Sequence, residues 1–408
     1  MLTPKPVRLW RKHRDKSLKT PIGRVRRAIK ISALSVLVFL TISLAVVSFS
    51  PGVAANMADS VLRPTIGSTA TVALESFFFS VSDFFKQVSY KFGAKPNANI
   101  FTKSTSSLLA KPVVTTSKTT KIADVHVMDL SPIDFHPGAF AKLPGEGQWS
   151  ILQLSQFGAN QNMARTFVTP DPKRSYAITS VVKMNMQNLR LHAIAGTEQP
   201  GGPIGNGGTG IIPFADQAGG KLVAAFNGGF QYKDGQFGMM VGQKTYVPLR
   251  LGLGTLIVRQ NGTVAIETYQ GNHADYAGAV AVRQNGPPIV ENGQVTDATA
   301  AGGMARWGLT VTNSMYTWRS GIGVTKDGDL LYAVGPSLNV NTLAAALQAA
   351  GAINAIQLDI NPYWVRFVTY EPNGTNSYTH QSLLKDMHDG GNNFLHGYNK
   401  DFFYLMLK

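Results

Sequence analysis

Three positions in this chain pair a chemically able side chain with the end of an apolar run. Arg319 lies in Trp318-Arg319-Ser320-Gly321. Its planar guanidinium fork matches a phosphate or a carboxylate, and a surface arginine on an edge strand gives the same local pattern. Asp359 closes the alternation Ala355-Ile356-Gln357-Leu358. A carboxylate at such a place is either an acid/base or nucleophile, or a structural acid capping a neighbouring turn. Asn227 opens Asn227-Gly228-Gly229-Phe230. Two glycines permit positive φ and let backbone N–H groups converge on an anion or a sugar oxygen. The asparagine amide adds a donor and an acceptor, but Asn-Gly is also a common hairpin turn. Asn361 and Trp364 follow Asp359 closely. The indole either stacks on a sugar ring or fills the core.

The elements that must hold these residues are mostly strands. Runs at 149–153, 176–184, 189–195, 222–226, 254–259, 264–269, 278–282, 308–312, 321–325, 330–334 and 355–359 are separated by Gly, Asn and Asp turns. Lys400–Leu407 reads as a closing strand. One helix is well marked: Leu343, Ala346, Leu347 and Ala350 give it an apolar face, Asn341 is its expected cap and Gly351 its end. High glycine, with 41 residues, and a charged fraction of only 15% agree with a loop-rich α+β protein dominated by strands.

Ahead of this lies a different kind of sequence. Residues 1–30 hold eleven Lys/Arg and one acid, Asp15, and read as a basic cytoplasmic tail. Ile31–Ser50 carries no charge in 20 residues, the length of a bilayer-spanning helix. The cations before it place the N-terminus inside and the rest of the chain outside a cytoplasmic membrane. A cleavable signal peptide, with Val53-Ala54-Ala55 as its processing site, is the rival reading. Within the stalk region 51–93, a helix over 58–92 has apolar residues at three- and four-residue steps. That helix is a membrane-surface or self-association element, or else a stalk packed on the globular part. Residues 94–125 are a Ser/Thr/Lys/Pro-rich linker, and 126–408 form the globular domain.

Composition narrows the chemistry. There is no cysteine, which removes disulfides and thiolate catalysis. The net charge of +15 sits largely in the tail, so a nucleic-acid-binding face is not expected. Gly201–Gly210 is glycine-rich but lacks the Lys-Ser/Thr of a phosphate loop. His380, His388 and His396 recur every eight residues, a spacing that matches no standard zinc motif. Neither a metal nor a cofactor is expected.

The motifs also stand in a telling order. Asn227-Gly228-Gly229-Phe230, Asp234-Gly235, Arg283 with Gly286-Pro287, Arg319-Ser320-Gly321-Ile322-Gly323, Asp327-Gly328, the 343–351 helix and Leu358-Asp359 follow one another. That order resembles the phosphodiester glycosidase family over roughly residues 145–408. The resemblance implies a β-rich phosphodiester-glycosidase-like domain. It also implies hydrolysis of a sugar-1-phosphodiester, here in cell-envelope or exopolysaccharide glycans of a bacterium. On that reading Asp359 is the acid/base or nucleophile, Asn227 orients sugar or water, and Arg319 and Arg283 bind phosphate. Gly228, Gly229, Asn361 and Trp364 line the substrate. One departure stands out: the family follows its Leu-Asp with glycines and a serine, whereas this chain continues Ile360-Asn361-Pro362-Tyr363-Trp364. That departure motivates two alternatives: a non-hydrolytic glycan-binding or envelope-assembly module, and a transferase using the same site. Convergence of Arg319, Asn227 and Asp359 on an open cleft favours the enzyme, and Pro362–Trp364 filling that cleft favours the binding module.

Overall fold

Apolar runs and glycine turns become strands through most of the chain. The computed structural model describes residues 63–102, 126–201, 207–272, 276, 278–297, 316–374 and 377–408. The basic tail, the uncharged run 31–50, most of the linker, residues 202–206 of the glycine-rich loop and the strand expected at 308–312 lie outside them. A helix, α1 (Arg63–Lys91), comes first, and Gly93 follows it at φ 101°. Among the described residues no helix is long and apolar enough to cross a membrane.

The strands run in chain order as β1 (Ser150–Ile151), β2 (Met163–Val168), β3 (Thr179–Met184), β4 (Leu189–Ile194), β5 (Leu222–Asn227) and β6 (Met239–Val241). They continue as β7 (Lys244–Val247), β8 (Gly254–Arg259), β9 (Val264–Thr268), β10 (Ala279–Gln284), β11 (Val290–Glu291) and β12 (Gln294–Val295). The last are β13 (Thr317–Thr325), β14 (Leu330–Leu338), β15 (Ala352–Ile360), β16 (Phe367–Pro372), β17 (Tyr378–Ser382) and β18 (Phe402–Leu407). They form an eight-stranded sheet ordered β1-β2-β3-β14-β13-β15-β11-β12, and two five-stranded sheets ordered β7-β6-β10-β8-β9 and β17-β16-β5-β18-β4. The described pairings are antiparallel, including Phe402 opposite Asn227 and Phe367 opposite Phe226.

Helix α2 (Val340–Ala349) covers one face of the large sheet. Glycine makes that fit possible. A Cβ on Gly321 of β13 would sit 3.0 Å from Leu347 and 3.2 Å from Leu343 on α2. The helix is capped by Asn339 rather than by the expected Asn341. Asn339 Oδ1 accepts from Thr342 N, and Thr342 Oγ1 accepts from Asn339 N, a reciprocal capping box. Asn341 lies inside the first turn, where its side chain has no such geometry. On the opposite face Ile322 and Tyr332 pack against Phe226, Phe367 and Phe403 of the β5-containing sheet. This aromatic core, with Phe226 stacked on Phe367 at 5.8 Å, binds the two sheets into a sandwich.

Candidate active site

The sandwich brings several strand ends to one place. Asn227 ends β5, Lys400-Asp401 precede β18, Arg366 precedes β16, Ser320 stands in β13, and Asp359 lies near the end of β15.

Asn227 is the knot between them. Its Nδ2 donates to Ser320 Oγ (2.9 Å) and Gly228 O (3.0 Å), and its Oδ1 accepts from Tyr332 Oη (2.8 Å) and Arg366 N (3.0 Å). The amide is thus fully used within the protein. Ser320 Oγ passes the link on to Asp359 O at 2.8 Å, and Asp359 N donates to Gly228 O at 3.1 Å. Asn227 and Asp359 are therefore brought together, with Asn227 as frame rather than as a group offered to substrate.

The Gly228-Gly229 turn corrects the expectation of an anion-binding cradle. Neither glycine has positive φ. Gly228 N donates to Asp401 O (3.0 Å) and Gly229 N to Asp401 Oδ2 (3.0 Å), so these donors are already taken. The glycines are needed for close approach instead. A Cβ on Gly228 would lie 2.0 Å from Asp401 Oδ2, and one on Gly229 would lie 2.7 Å from Asn285 Oδ1 and 2.8 Å from Arg283 Nη2.

Arg283 is likewise drawn inward. It is 1% exposed and donates from Nε and Nη2 to the two oxygens of Asp401 at 2.8 and 3.1 Å. Its remaining N–H groups go to Phe230 O, Phe237 O and Gln284 O. All five donors of the fork are accounted for, so Arg283 clamps the turn and offers nothing to a phosphate. Asn285 completes the clamp, accepting from Phe230 N and donating to Gln357 O and Leu358 O.

Arg319 is on a central strand, not an edge, because β13 lies between β14 and β15. It is fully buried, with Nε on Leu338 O (2.9 Å) and Nη1 on Gln357 Oε1 (2.7 Å). Burial pushes its pKa down to about 9. Its guanidinium is directed to β14 and β15 backbone and amide partners, and the cation on Asp359 is a different residue.

That residue is Lys400. Its Nζ meets Asp359 Oδ2 in a close ion pair, both side chains being at most 5% exposed. Asp359 Oδ1 accepts from Ile360 N at 2.9 Å. Burial pushes the Asp359 carboxyl up to about 6, against the opposing pull of Lys400. The Lys400 ammonium also lies 4.5 Å from the centre of the Trp364 ring. Trp364 is thus half-buried at the pair, stacked on its cation.

Asn361 is a turn cap at φ 70°. Its Oδ1 accepts from Tyr363 N and Trp364 N, which fixes the direction in which Trp364 leaves β15. Just beyond, Arg366 is 1% exposed and lies 5.5 Å from the Tyr363 ring and 4.9 Å from the Tyr398 ring. Among the described residues no carboxylate forms an ion pair with it, and Arg366 Nη1 and Tyr398 Oη are buried without a hydrogen-bond partner. Of the three histidines, His388 lies 5.0 Å from Tyr363 and His380 pairs with Asp389. Among the described residues no three His, Asp or Glu side chains are disposed to hold a metal.

Lys400, Arg366 and Tyr398 were invisible as site residues in the sequence. Lys400-Asp401, opposite charges at the head of the last strand, were the available signal. Each finds a partner of opposite sign across the sandwich, Asp359 and Arg283.

The phosphodiester glycosidase family profile matches residues 220–359, from β5 to the site carboxylate. No curated protein matches the chain. Among solved structures, the catalytic domain of zebrafish N-acetylglucosamine-1-phosphodiester alpha-N-acetylglucosaminidase, auto-inhibited by its pro-peptide, is 12% identical with a TM-score of 0.39, over 64% of this chain and 88% of that one. A hypothetical protein from Synechocystis is 12% identical with a TM-score of 0.34, over 61% of this chain and 63% of that one. These likenesses are loose, and the assignment rests on the profile, whose matched segment holds the Asn227 turn, Arg283, Arg319 and Asp359. Residues 220–359 are thus similar to the phosphodiester glycosidase family.

Proposed function

We propose that the domain hydrolyses a sugar-1-phosphodiester, with Asp359 and Lys400 at the reacting centre. One observation carries the reading: a buried carboxylate paired with a lysine, at the end of the family-matched segment, beside a second buried cation, Arg366, that no carboxylate among the described residues neutralises. The bond to be cut joins an anomeric carbon to a phosphate oxygen. Its leaving group is a phosphate monoester, with a second pKa of about 6, which needs charge neutralisation more than a proton. Lys400 and Arg366 supply that charge in a dry setting where it counts most. Water attacks the anomeric carbon, the carbon–oxygen bond breaks, and the electron pair leaves with the phosphate. Asp359, its pKa near 6, is mostly ionised at neutral pH and accepts the water proton or steadies the cationic carbon. Tyr363 and Trp364 present ring faces to the sugar. Asn227, Arg319 and Arg283 hold the frame. Bacterial envelope or exopolysaccharide glycans, reached by a domain held outside the membrane, are the substrates this reading favours. A transferase differs only in replacing water by an acceptor hydroxyl.

A second reading has its own observation. Trp364 covers Lys400, and it belongs to the segment that replaces the family's glycines. A glycan-binding module without turnover is consistent with that cover. One assay separates the two: the protein is incubated with a panel of sugar-1-phosphodiesters while free sugar and phosphomonoester are measured. The hydrolase predicts turnover that falls by a factor of about a hundred or more in Asp359→Asn. Turnover unchanged in a folded Asp359→Asn protein overturns the assignment. Binding without turnover, weakened in Trp364→Ala, establishes the binding module.

A further inference from the structure

Helix α1 has two unlike faces. One is fixed to the domain. Asp83 is 6% exposed and accepts from Arg174 Nη2 (2.8 Å) and Tyr176 Oη (2.8 Å). Tyr90 stacks on Tyr176 at 4.7 Å, Phe79 packs on the core under α2, and Lys86 Nζ donates to Ser337 Oγ at 3.1 Å. These contacts set the rotation of the helix about its own axis.

The other face is apolar and uncovered. Ile66 is 47% exposed, Phe77 50%, Phe84 61%, Phe85 55%, and Phe92 just past the helix end 83%. Ile66, Phe77 and Phe84 are separated by close to whole turns, and Phe85 and Phe92 follow to one side of that line, so together they form one broad stripe. Half of the large exposed apolar side chains of the described residues lie on this helix or just past its end. A stripe of this size needs an occupant.

Charge and chain order say which. The exposed charges at the C-terminal end of the stripe are cationic, Lys91 and Lys95, because Asp83 is buried and paired. Phenylalanines in line with lysines are the composition of a helix lying in a lipid headgroup layer, with ammonium groups reaching the phosphates. The chain preceding the helix holds the uncharged run 31–50, and the 12 residues between Ser50 and Arg63 reach at most about 40 Å. We infer that the Ile66–Phe92 stripe lies in the interface of an anionic bilayer and holds the catalytic-family domain against the membrane surface.

The absence of cysteine makes the test direct. Phe85→Cys and Phe92→Cys in the full chain are labelled with a polarity-sensitive fluorophore. The protein is then reconstituted into phosphatidylcholine vesicles with and without phosphatidylglycerol. Bilayer contact predicts blue-shifted emission, quenched roughly twofold or more by nitroxide-bearing lipid. It also predicts a stronger response with phosphatidylglycerol, which Lys91→Glu with Lys95→Glu abolishes. Water-like emission in both vesicles overturns the inference. So does shielding that follows protein density and ignores the nitroxide lipid, which would assign the stripe to a second copy of the chain. Circular dichroism of each labelled protein confirms that the helix is intact.

Discussion

Replacing Lys400 by methionine tests the coupling on which the site depends. The variant keeps an unbranched stem against Trp364 and removes the cation in contact with Asp359 Oδ2. A buried charge stripped of its partner destabilises by about 3–5 kcal/mol. Asp359 has an alternative, which is to take up a proton. Keeping a carboxyl of ordinary pKa 3.8 protonated at pH 7 costs about 4 kcal/mol, at about 1.4 kcal/mol per unit. The wild-type carboxyl, its pKa raised to about 6, already bears about 3 kcal/mol of that cost, so the protonation route limits the further loss to roughly 1 kcal/mol at neutral pH. Its pH dependence is the sharper test. The folded-state pKa of Asp359 is raised to about 6, so its contribution is most favourable below 3.8 and is lost as pH rises through 6. Without Lys400 the folded-state pKa climbs further, and the loss continues to higher pH. Between pH 7 and pH 5 the variant therefore regains more stability than the wild type, and the penalty shrinks by on the order of 1 kcal/mol. Urea unfolding followed by tryptophan fluorescence at the two pH values measures it. A penalty that is constant, or that grows toward acid, refutes the electrostatic coupling of Lys400 to Asp359.

Two further outcomes follow from the frame and from the helix. Gly229→Ala places a methyl group against Asn285 and Arg283, so it is expected to destabilise the domain by about 1–3 kcal/mol, read as a lowered thermal midpoint. A Gly229→Ala protein as stable as wild type would show that the turn is not tightly clamped. Burial acts to raise the Asp83 pKa, but hydrogen bonds from Arg174, Tyr176 and Gln87 outweigh it and hold the carboxyl below its ordinary range. The stability it gives to α1 docking is therefore present above pH 3.8 and lost as pH falls further. Asp83→Asn should mimic that loss at neutral pH, exposing the 94–102 segment to proteolysis, and equal protection in the two proteins would count against the docking contact.

The sequence makes strands legible where an apolar run lies beside turn glycines, as at Gly254–Arg259, even though that strand is buried at five of its six positions. β2 (Met-Ala-Arg-Thr-Phe-Val) is buried to the same extent, but Arg165 and Thr166 interrupt its apolar run, so its pattern does not stand out. The site divides along a similar line. Asn227 and Asp359 were visible because glycine and apolar patterning frame them, and they do meet, through Ser320. The partner of Asp359 was not visible, because chain distance does not single it out: Lys400 stands 41 residues away, and Lys326 and Arg366 are nearer cations. The pairing of Phe402 with Asn227 brings the head of β18 to the end of β5 and decides for Lys400. Arg283 shows the same effect in reverse. Its fork suits a phosphate by chemistry, yet Asp401, adjacent to Lys400, consumes it. Two neighbouring residues of opposite charge at the start of the last strand thus set the electrostatics of the centre: Asp401 neutralises the frame, and Lys400 meets the carboxylate. Among the described residues Arg366 has no carboxylate partner, so an anionic ligand at this centre would supply charge that these residues withhold.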